Sequence, residues 1–252
     1  MSERSETKRP TQGSTRRSSS TRTWLEGSRT ARKWDTELIG WAALIVGAGV
    51  ITSVLLRLLI PTTTGQILAA LALWASLAAP VVLAFRRGRP RGLLRFRWTD
   101  VLYGIVIGGA LRVVQGWLEV AAGGSGAFPT YPLLNGQLPD LWWFTALVGP
   151  VLIAPAVEEF LFRGVVLVAV FRIARRGLDG AALAIVASTG AFVAMHAITG
   201  MSSWEEPVTL TIVGMTCAVI VLLTGRIWGA VLVHLVFNAS AVALALAGTM
   251  LG

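Results

Sequence analysis

Residues 155–167 read P-A-V-E-E-F-L-F-R-G-V-V-L, and the rest of the chain is arranged around them. It places Glu158, Glu159 and Arg163 inside an otherwise apolar run that extends over residues 141–171. An ionisable side chain at bilayer depth costs about 3 kcal/mol or more. Such residues therefore usually face the interior of a helix bundle and have a function there.

The spacing of these three residues predicts that only one of the two carboxylates has a cationic partner on its own helix. Arg163 follows Glu159 by four residues, so a helix brings their side chains within ion-pairing reach. Glu158 points about 100° away from Glu159 and lacks that partner. We therefore expect Glu159 and Arg163 to support the architecture and Glu158 to be free for chemistry.

Two prolines precede the carboxylates and are expected to disturb the helix. Pro155 has no backbone N–H, so in an α-helix it leaves the carbonyl of Val151 without its partner. Together with Pro150, this predicts a kink just before Glu158.

The composition is that of a multi-spanning membrane protein. Of the 252 residues, 54% are hydrophobic and 14% are charged, and the mean hydropathy is +0.69. Soluble domains carry about 25% charged residues. The formal charge of +9 could indicate nucleic-acid binding, but all except three of the 22 Lys and Arg lie outside the apolar runs. We therefore expect no nucleic-acid partner.

Seven apolar runs are long enough to cross a bilayer as helices. They cover residues 38–60, 67–85, 101–123, 141–171, 181–198, 208–224 and 227–250. This predicts an all-α polytopic transmembrane bundle of about seven spans, and six to eight stay open because the fourth run could divide at its prolines. Residues 37–252 then form the transmembrane domain. Residues 1–36 are too polar to bury a core and are predicted to form a disordered basic tail.

The distribution of basic residues predicts the orientation of the helices. Lys and Arg concentrate in the tail, in a loop with six arginines at residues 86–97 and in a turn at residues 172–176. All three segments fall on one side of the bundle, which the positive-inside rule makes cytoplasmic. We therefore expect a multi-pass protein of the plasma membrane, of bacterial type, whose tail and arginine loop contact anionic lipids.

The third run carries a stripe of small residues, Gly104, Gly108 and Gly116, which predicts close helix packing. Arg112 continues this stripe, and Glu119 follows two turns later on the same face. We interpret these two as an inward structural pair, with part of a polar cavity as the alternative.

Both histidines of the chain lie in apolar runs, each one helical turn from a distinctive neighbour. His196 follows Phe192, and His234 precedes Asn238 on the same helix face. At about 1.5 Å of rise per residue, Glu158, both histidines and the asparagine lie roughly 11–23 Å from the cytoplasmic ends of their helices. These depths bracket one layer, so the four side chains can converge.

The chemistry that such a group supports is hydrolysis. A carboxylate beside an imidazole can bind and deprotonate water, and a second histidine with an asparagine can donate hydrogen bonds to a developing oxyanion. Two histidines and one or two carboxylates can also hold zinc, and the ligands would then be Glu158, Glu159, His196 and His234. Because the chain has no H-E-x-x-H motif, no cofactor is favoured and zinc stays an alternative.

Three motifs occur in order in successive apolar runs: E-E-F-L-F-R at residues 158–163, F-V-A-M-H at residues 192–196 and H-L-V-F-N at residues 234–238. In these motifs the chain resembles the CPBP family of CAAX-type prenyl proteases and bacteriocin-processing enzymes, also called the Abi family. The resemblance covers residues 141–250. It implies an intramembrane endopeptidase, glutamate-dependent or metal-dependent, that cuts a membrane-associated or prenylated protein or peptide near the membrane–cytosol boundary.

Carried over to this sequence, the resemblance implies a division of labour among four residues. Glu158 and His196 would activate the water molecule, and His234 and Asn238 would bind the oxyanion.

The resemblance also implies that Glu159 and Arg163 hold the architecture, with Phe192 in support beside the first histidine. A catalytically silent membrane scaffold or immunity protein of the same fold is the alternative function. A proton-coupled transporter is a third, which the lack of an evident internal repeat disfavours.

Overall fold

A computed structural model describes residues 23–27, 30, 33–201 and 203–251 of the chain. Within these residues the protein consists of seven helices and their connections. They are α1 (Thr36–Leu59), α2 (Thr63–Arg87), α3 (Trp98–Ala121), α4, α5 (Gly177–Thr199), α6 (Glu205–Thr224) and α7 (Trp228–Leu251). Helix α4 is continuous through four segments, Trp143–Ile153, Ala154–Glu159, Phe160–Val166 and Leu167–Ile173.

The prediction of an all-α, multi-pass membrane protein is confirmed. Every helix except α4 is long and apolar enough to cross a membrane, and α4 adds a seventh long helix to the bundle. Large apolar side chains cover the outside: Leu59, Leu178 and Leu223 are each more than three-quarters exposed. Such a surface is stable against lipid tails but not against water.

The helices pack mainly as neighbouring pairs, α1 with α2, α3 with α7 and α5 with α6. The predicted small-residue stripe accounts for the second pair. A β-carbon at Gly104 would lie 2.8 Å from the Cβ of Leu232, and one at Gly108 would lie 2.8 Å from the carbonyl oxygen of Val233. A β-carbon at Gly116 would meet open space. The stripe thus brings α3 against α7 at two of its three glycines.

The prolines of helix α4 predict an α-helix with a kink, whereas the structure shows a helix with two π-helical segments. Its segments Trp143–Ile153 and Phe160–Val166 are π-helical. The N–H of Ala154 binds the carbonyl of Gly149, five residues back, where an α-helix would use Pro150. The six residues between the two π segments contain both glutamates. Helix α4 thus accommodates its prolines by changing from α-helical to π-helical hydrogen bonding on either side of the glutamates. Short π-helical segments are frequent at functional sites.

The end of the bundle that carries the arginine loop is closed by the last residues of the predicted tail. Trp24 is 3% exposed and donates from Nε1 to the carbonyl oxygen of Gly225 at 2.9 Å. Trp34 is fully buried and donates to the carbonyl oxygen of Ala84 at 2.8 Å. The disordered tail expected over residues 1–36 stays a prediction for the residues before Thr23, while Trp24 and Trp34 pack against the bundle because they have apolar surface to bury. Residues 1–22 lie outside the described part of the chain.

Candidate active site

Glu159 of α4 is bound on both sides of one carboxylate oxygen. Its Oε1 lies 3.0 Å from Nη1 of Arg163 and 2.9 Å from Nδ1 of His234 on α7. All three side chains are at least 95% buried. The contact with Arg163 is the ion pair that the four-residue spacing predicts. The contact with His234 joins two helices through residues that are 75 positions apart in the sequence. Glu159 therefore holds the imidazole of His234 in place, a role that the sequence did not indicate.

Glu158 lies on the other side of the same imidazole. Its Oε2 is 3.9 Å from Nε2 of His234, and its side chain also interacts electrostatically with His196. Glu158 is 6% exposed. The carboxylate that lacks an arginine on its own helix is thus the one that faces the histidines.

The charges of this cluster come close to balancing. Two ionised carboxylates and the guanidinium of Arg163 leave one excess negative charge. One added proton would bring the total to zero, and a buried cluster with zero net charge avoids a large desolvation cost. The Nδ1 atom of His234 already carries a hydrogen toward Glu159, because a carboxylate oxygen can only accept.

The ring of Phe192 packs against Arg163 and both histidines. The guanidinium of Arg163 lies 4.4 Å from the centre of its ring, a cation–π arrangement. The ring of His196 lies 4.5 Å away and that of His234 5.7 Å away, the latter edge-on. The F-x-x-x-H spacing thus places one aromatic ring against both histidines and the arginine.

His196 is oriented by its own helix. Its Nδ1 lies 2.9 Å from the carbonyl oxygen of Phe192, so Nδ1 carries the hydrogen and Nε2 is left as the acceptor. The side chain is half-buried. An imidazole in this state can accept a proton from a water molecule at Nε2.

Asn238 binds the backbone of α4. Its Nδ2 donates to the carbonyl oxygen of Pro150 at 2.8 Å. In the π register this oxygen would receive the N–H of residue 155, which is a proline and has none. The sequence predicted that Pro155 releases the carbonyl of Val151; in the structure the carbonyl that needs an external donor is that of Pro150, because the register is π and not α.

Two further residues of the site are not evident from the motifs. Ser188 of α5 donates from Oγ to the carbonyl oxygen of Phe162 at 2.8 Å, inside the second π segment. Gly214 of α6 leaves room for Arg163: a β-carbon there would lie 3.0 Å from Nη2 of the arginine and 2.9 Å from Cγ2 of Thr189. Neither a serine nor a glycine in an apolar helix is recognisable as a site residue from the sequence, because its role depends on the packing of that helix against α4.

The possible zinc ligands named from the sequence are Glu158, Glu159, His196 and His234. Among the residues that the structure describes, no group of three or more His, Cys, Asp or Glu side chains is placed to hold a metal ion. Glu159 Oε1 is already shared by Arg163 and His234.

The structure brings together all seven residues that the sequence singled out. Glu158, Glu159 and Arg163 meet His234 directly, Phe192 connects them to His196, and Asn238 lies one turn beyond His234. No curated protein and no solved structure matches the chain. Residues 140–240, which contain all of these residues, match the model of the family described as type II CAAX prenyl endopeptidase Rce1-like.

Proposed function

We propose that the protein is an intramembrane endopeptidase that hydrolyses a peptide bond of a membrane-associated or prenylated protein or peptide with a water molecule activated by Glu158. The family suggests a CAAX-type endopeptidase. The observation that carries the proposal is the placement of Glu158, a buried carboxylate 3.9 Å from an imidazole that Glu159 fixes in orientation. A carboxylate in such a setting can exchange a proton without leaving the cluster.

The proposed reaction balances within this cluster. Glu158, with Nε2 of His196 as a second acceptor, takes a proton from water as the water oxygen attacks the carbonyl carbon of the scissile bond. The π electrons of that carbonyl move to its oxygen, which becomes an oxyanion. When the C–N bond breaks, the electron pair goes to the nitrogen and Glu158 returns the proton to it, which gives a carboxylic acid and an amine.

Two donors near Glu158 suit the oxyanion. When the cluster proton is on Nε2, His234 can donate from that atom. Asn238 uses one amide hydrogen for Pro150, and its second hydrogen is available because a primary amide carries two. Fixed donors of this kind typically contribute about 3 kcal/mol to the stability of such a transition state.

We propose that the reaction proceeds without a metal ion. The support is that, in the part of the chain that the structure describes, no three His, Cys, Asp or Glu side chains are grouped so that they could hold a metal ion. If zinc is required, the purified protein contains about one zinc per chain and chelation abolishes cleavage. Cleavage that persists in metal-free protein supports the water-activation scheme.

The direct test is cleavage of a prenylated CAAX peptide by the protein in liposomes. We expect Glu158→Gln to lower kcat by at least about 10³-fold, since the amide can no longer accept the proton. The matched control is Glu37→Gln, at an exposed carboxylate that pairs with Arg87 at the cytoplasmic end of the bundle, which should leave kcat unchanged. If the wild-type protein cleaves no peptide of a broad prenylated and unprenylated library, the silent scaffold of the same fold becomes the better reading.

The basic cytoplasmic surface is part of the proposal. The arginines of residues 86–97 and of the tail can bind anionic headgroups at about 1 kcal/mol each. We expect the purified protein to retain anionic lipids in native mass spectrometry, and a variant lacking residues 1–22 to retain fewer. Equal retention by both forms would remove the tail, though not the loop, from this part of the proposal.

A further inference from the structure

A cavity of about 600 Å³ lies at the end of the bundle opposite the arginine loop. It is bounded by the last turns of α3, the first turn of α6, the second half of α7 and residues 126–129. Its volume is within the range of small-molecule sites. The seven residues of the candidate active site do not line it, so its chemistry can be considered separately.

The charges of this cavity are mostly negative. Glu119, Glu205 and Glu206 line it together with a single cation, Arg112. When ionised, the three carboxylates exceed the guanidinium by two charges. A ligand that fits the cavity electrostatically is therefore a cation with two positive charges.

The guanidinium of Arg112 makes its hydrogen bonds to groups other than the three carboxylates. Its Nε donates to Oγ of Ser240 at 3.2 Å, and its two Nη atoms donate to the side chain of Gln115 and the carbonyl oxygen of Phe237. Its guanidinium also stacks 4.0 Å above the ring of Phe237. Arg112 and Glu119 both line this cavity. This is the polar cavity that the sequence offered as the alternative to an inward structural pair.

A buried hydroxyl in the cavity wall points to a ligand independently of the carboxylates. Thr209 is 7% exposed, and its Oγ1 has no hydrogen-bond partner among the residues that the structure describes. Elsewhere in α6, Thr211 and Thr224 each donate to the carbonyl four residues back, at 2.7 Å. Thr209 does not satisfy itself in this way, although it lies in the same helix. A buried hydroxyl without a partner is costly unless a bound group supplies one.

The ligand should be an organic cation and not a metal ion. In the described part of the chain no three acidic, histidine or cysteine side chains are close enough together to hold a metal. Between the charged groups the walls are apolar, with Trp117, Phe128 and Leu244 among them. Spaced negative charges with apolar surface between them match two ammonium groups joined by methylenes.

We propose that this cavity binds a linear aliphatic diamine or polyamine. One ammonium group would bind Glu205, whose Oε2 is buried and lacks a partner among the described residues, and donate to Oγ1 of Thr209. The other would lie toward Glu119, and the methylene chain would pack on the apolar wall. This site does not depend on the proposed peptidase activity.

The test is equilibrium dialysis of radiolabelled cadaverine against the full-length protein in lipid nanodiscs. We expect saturable binding of about one molecule per chain. Glu205→Gln should weaken binding at least about tenfold, since it removes a charge-assisted hydrogen bond. Thr209→Val should weaken it about threefold or more. The matched control is Thr211→Val, whose hydroxyl already binds its own helix and whose replacement should leave the affinity unchanged.

Competition identifies the chemistry. Pentylamine should displace cadaverine more weakly than cadaverine itself, and pentanediol should not displace it at all, because only the charges differ. Glu119→Gln provides a second carboxylate in case Glu205→Gln does not fold. No saturable binding up to about 10 mM, or equal binding by Glu205→Gln, Glu119→Gln and the wild-type protein, would overturn the proposal. Glu158→Gln should bind cadaverine normally, so failure of the peptidase proposal does not affect this result.

Discussion

Asn238 donates from Nδ2 to the carbonyl oxygen of Pro150 at 2.8 Å and so connects α7 to the first π segment of α4. The bond exists because the π register directs that carbonyl toward residue 155, a proline without an N–H. It lies one turn from His234 on α7 and two turns from Glu158 on α4. The register of α4 and the position of the two charged side chains therefore depend on one asparagine.

Replacement of Asn238 should reduce stability as well as activity. Asn238→Ala leaves the Pro150 carbonyl without a donor, at a cost of about 1–3 kcal/mol in the free energy of unfolding. Asn238→Asp should cost more, because an ionised carboxylate faces the same oxygen with no hydrogen to donate. Denaturant unfolding in mixed micelles measures both. Thr52→Ala, which removes a hydroxyl bound only to its own helix, should stay within about 0.5 kcal/mol of wild type.

Replacing one member of the Glu159–Arg163 pair should lower the free energy of unfolding more than replacing both. Glu159→Gln leaves the guanidinium buried without its countercharge and should destabilise the protein by about 3–5 kcal/mol. The double variant Glu159→Gln/Arg163→Met should recover most of this loss, and a double-mutant cycle measures the coupling. If the two single losses simply add, Glu159 and Arg163 are not coupled.

Gly214 should tolerate no side chain. A β-carbon at this position would lie 3.0 Å from Nη2 of Arg163 and 2.9 Å from Thr189, so Gly214→Ala should displace the arginine from Glu159. We expect a loss of about 1–3 kcal/mol together with a lower kcat. Gly109→Ala is the matched control, because a β-carbon there meets open space and alanine favours the helix by up to about 1 kcal/mol. Equal stability of the two variants would contradict the close approach of α6 to Arg163.

Trp24 should stabilise the end of the bundle that carries the arginine loop. Trp24→Ala removes a buried ring that packs edge-on against Phe171 at 5.8 Å and a hydrogen bond to Gly225. We expect a loss of about 3 kcal/mol or more in the free energy of unfolding. Trp98→Ala, at a side chain that is 74% exposed, should cost little in detergent. A small effect of Trp24→Ala would restore the simpler description of this segment as a disordered tail.

Much of the candidate site could be predicted from the sequence because its signals are local. The ion pair between Glu159 and Arg163 follows from their spacing along one helix, and the contact of Phe192 with His196 follows in the same way. The contact of Glu159 with His234 could not be predicted, since it joins α4 to α7 across 75 residues. Spacing within a helix carries no information about which side of a distant helix faces it.

The sequence alone establishes an all-α membrane protein and marks Glu158, Glu159 and Arg163 as part of a site, because burying charge in lipid is too costly to occur without a reason. It also determined the order of the helices and, through the glycines at 104 and 108, that α3 packs closely. Only the tertiary structure decided the register of α4. A proline removes a hydrogen bond wherever it stands, but whether the helix kinks or widens depends on the donors that neighbouring helices supply, here Asn238 to Pro150 and Ser188 to Phe162. Those donors come from α7 and α5, and so the register of α4 is a property of the folded bundle.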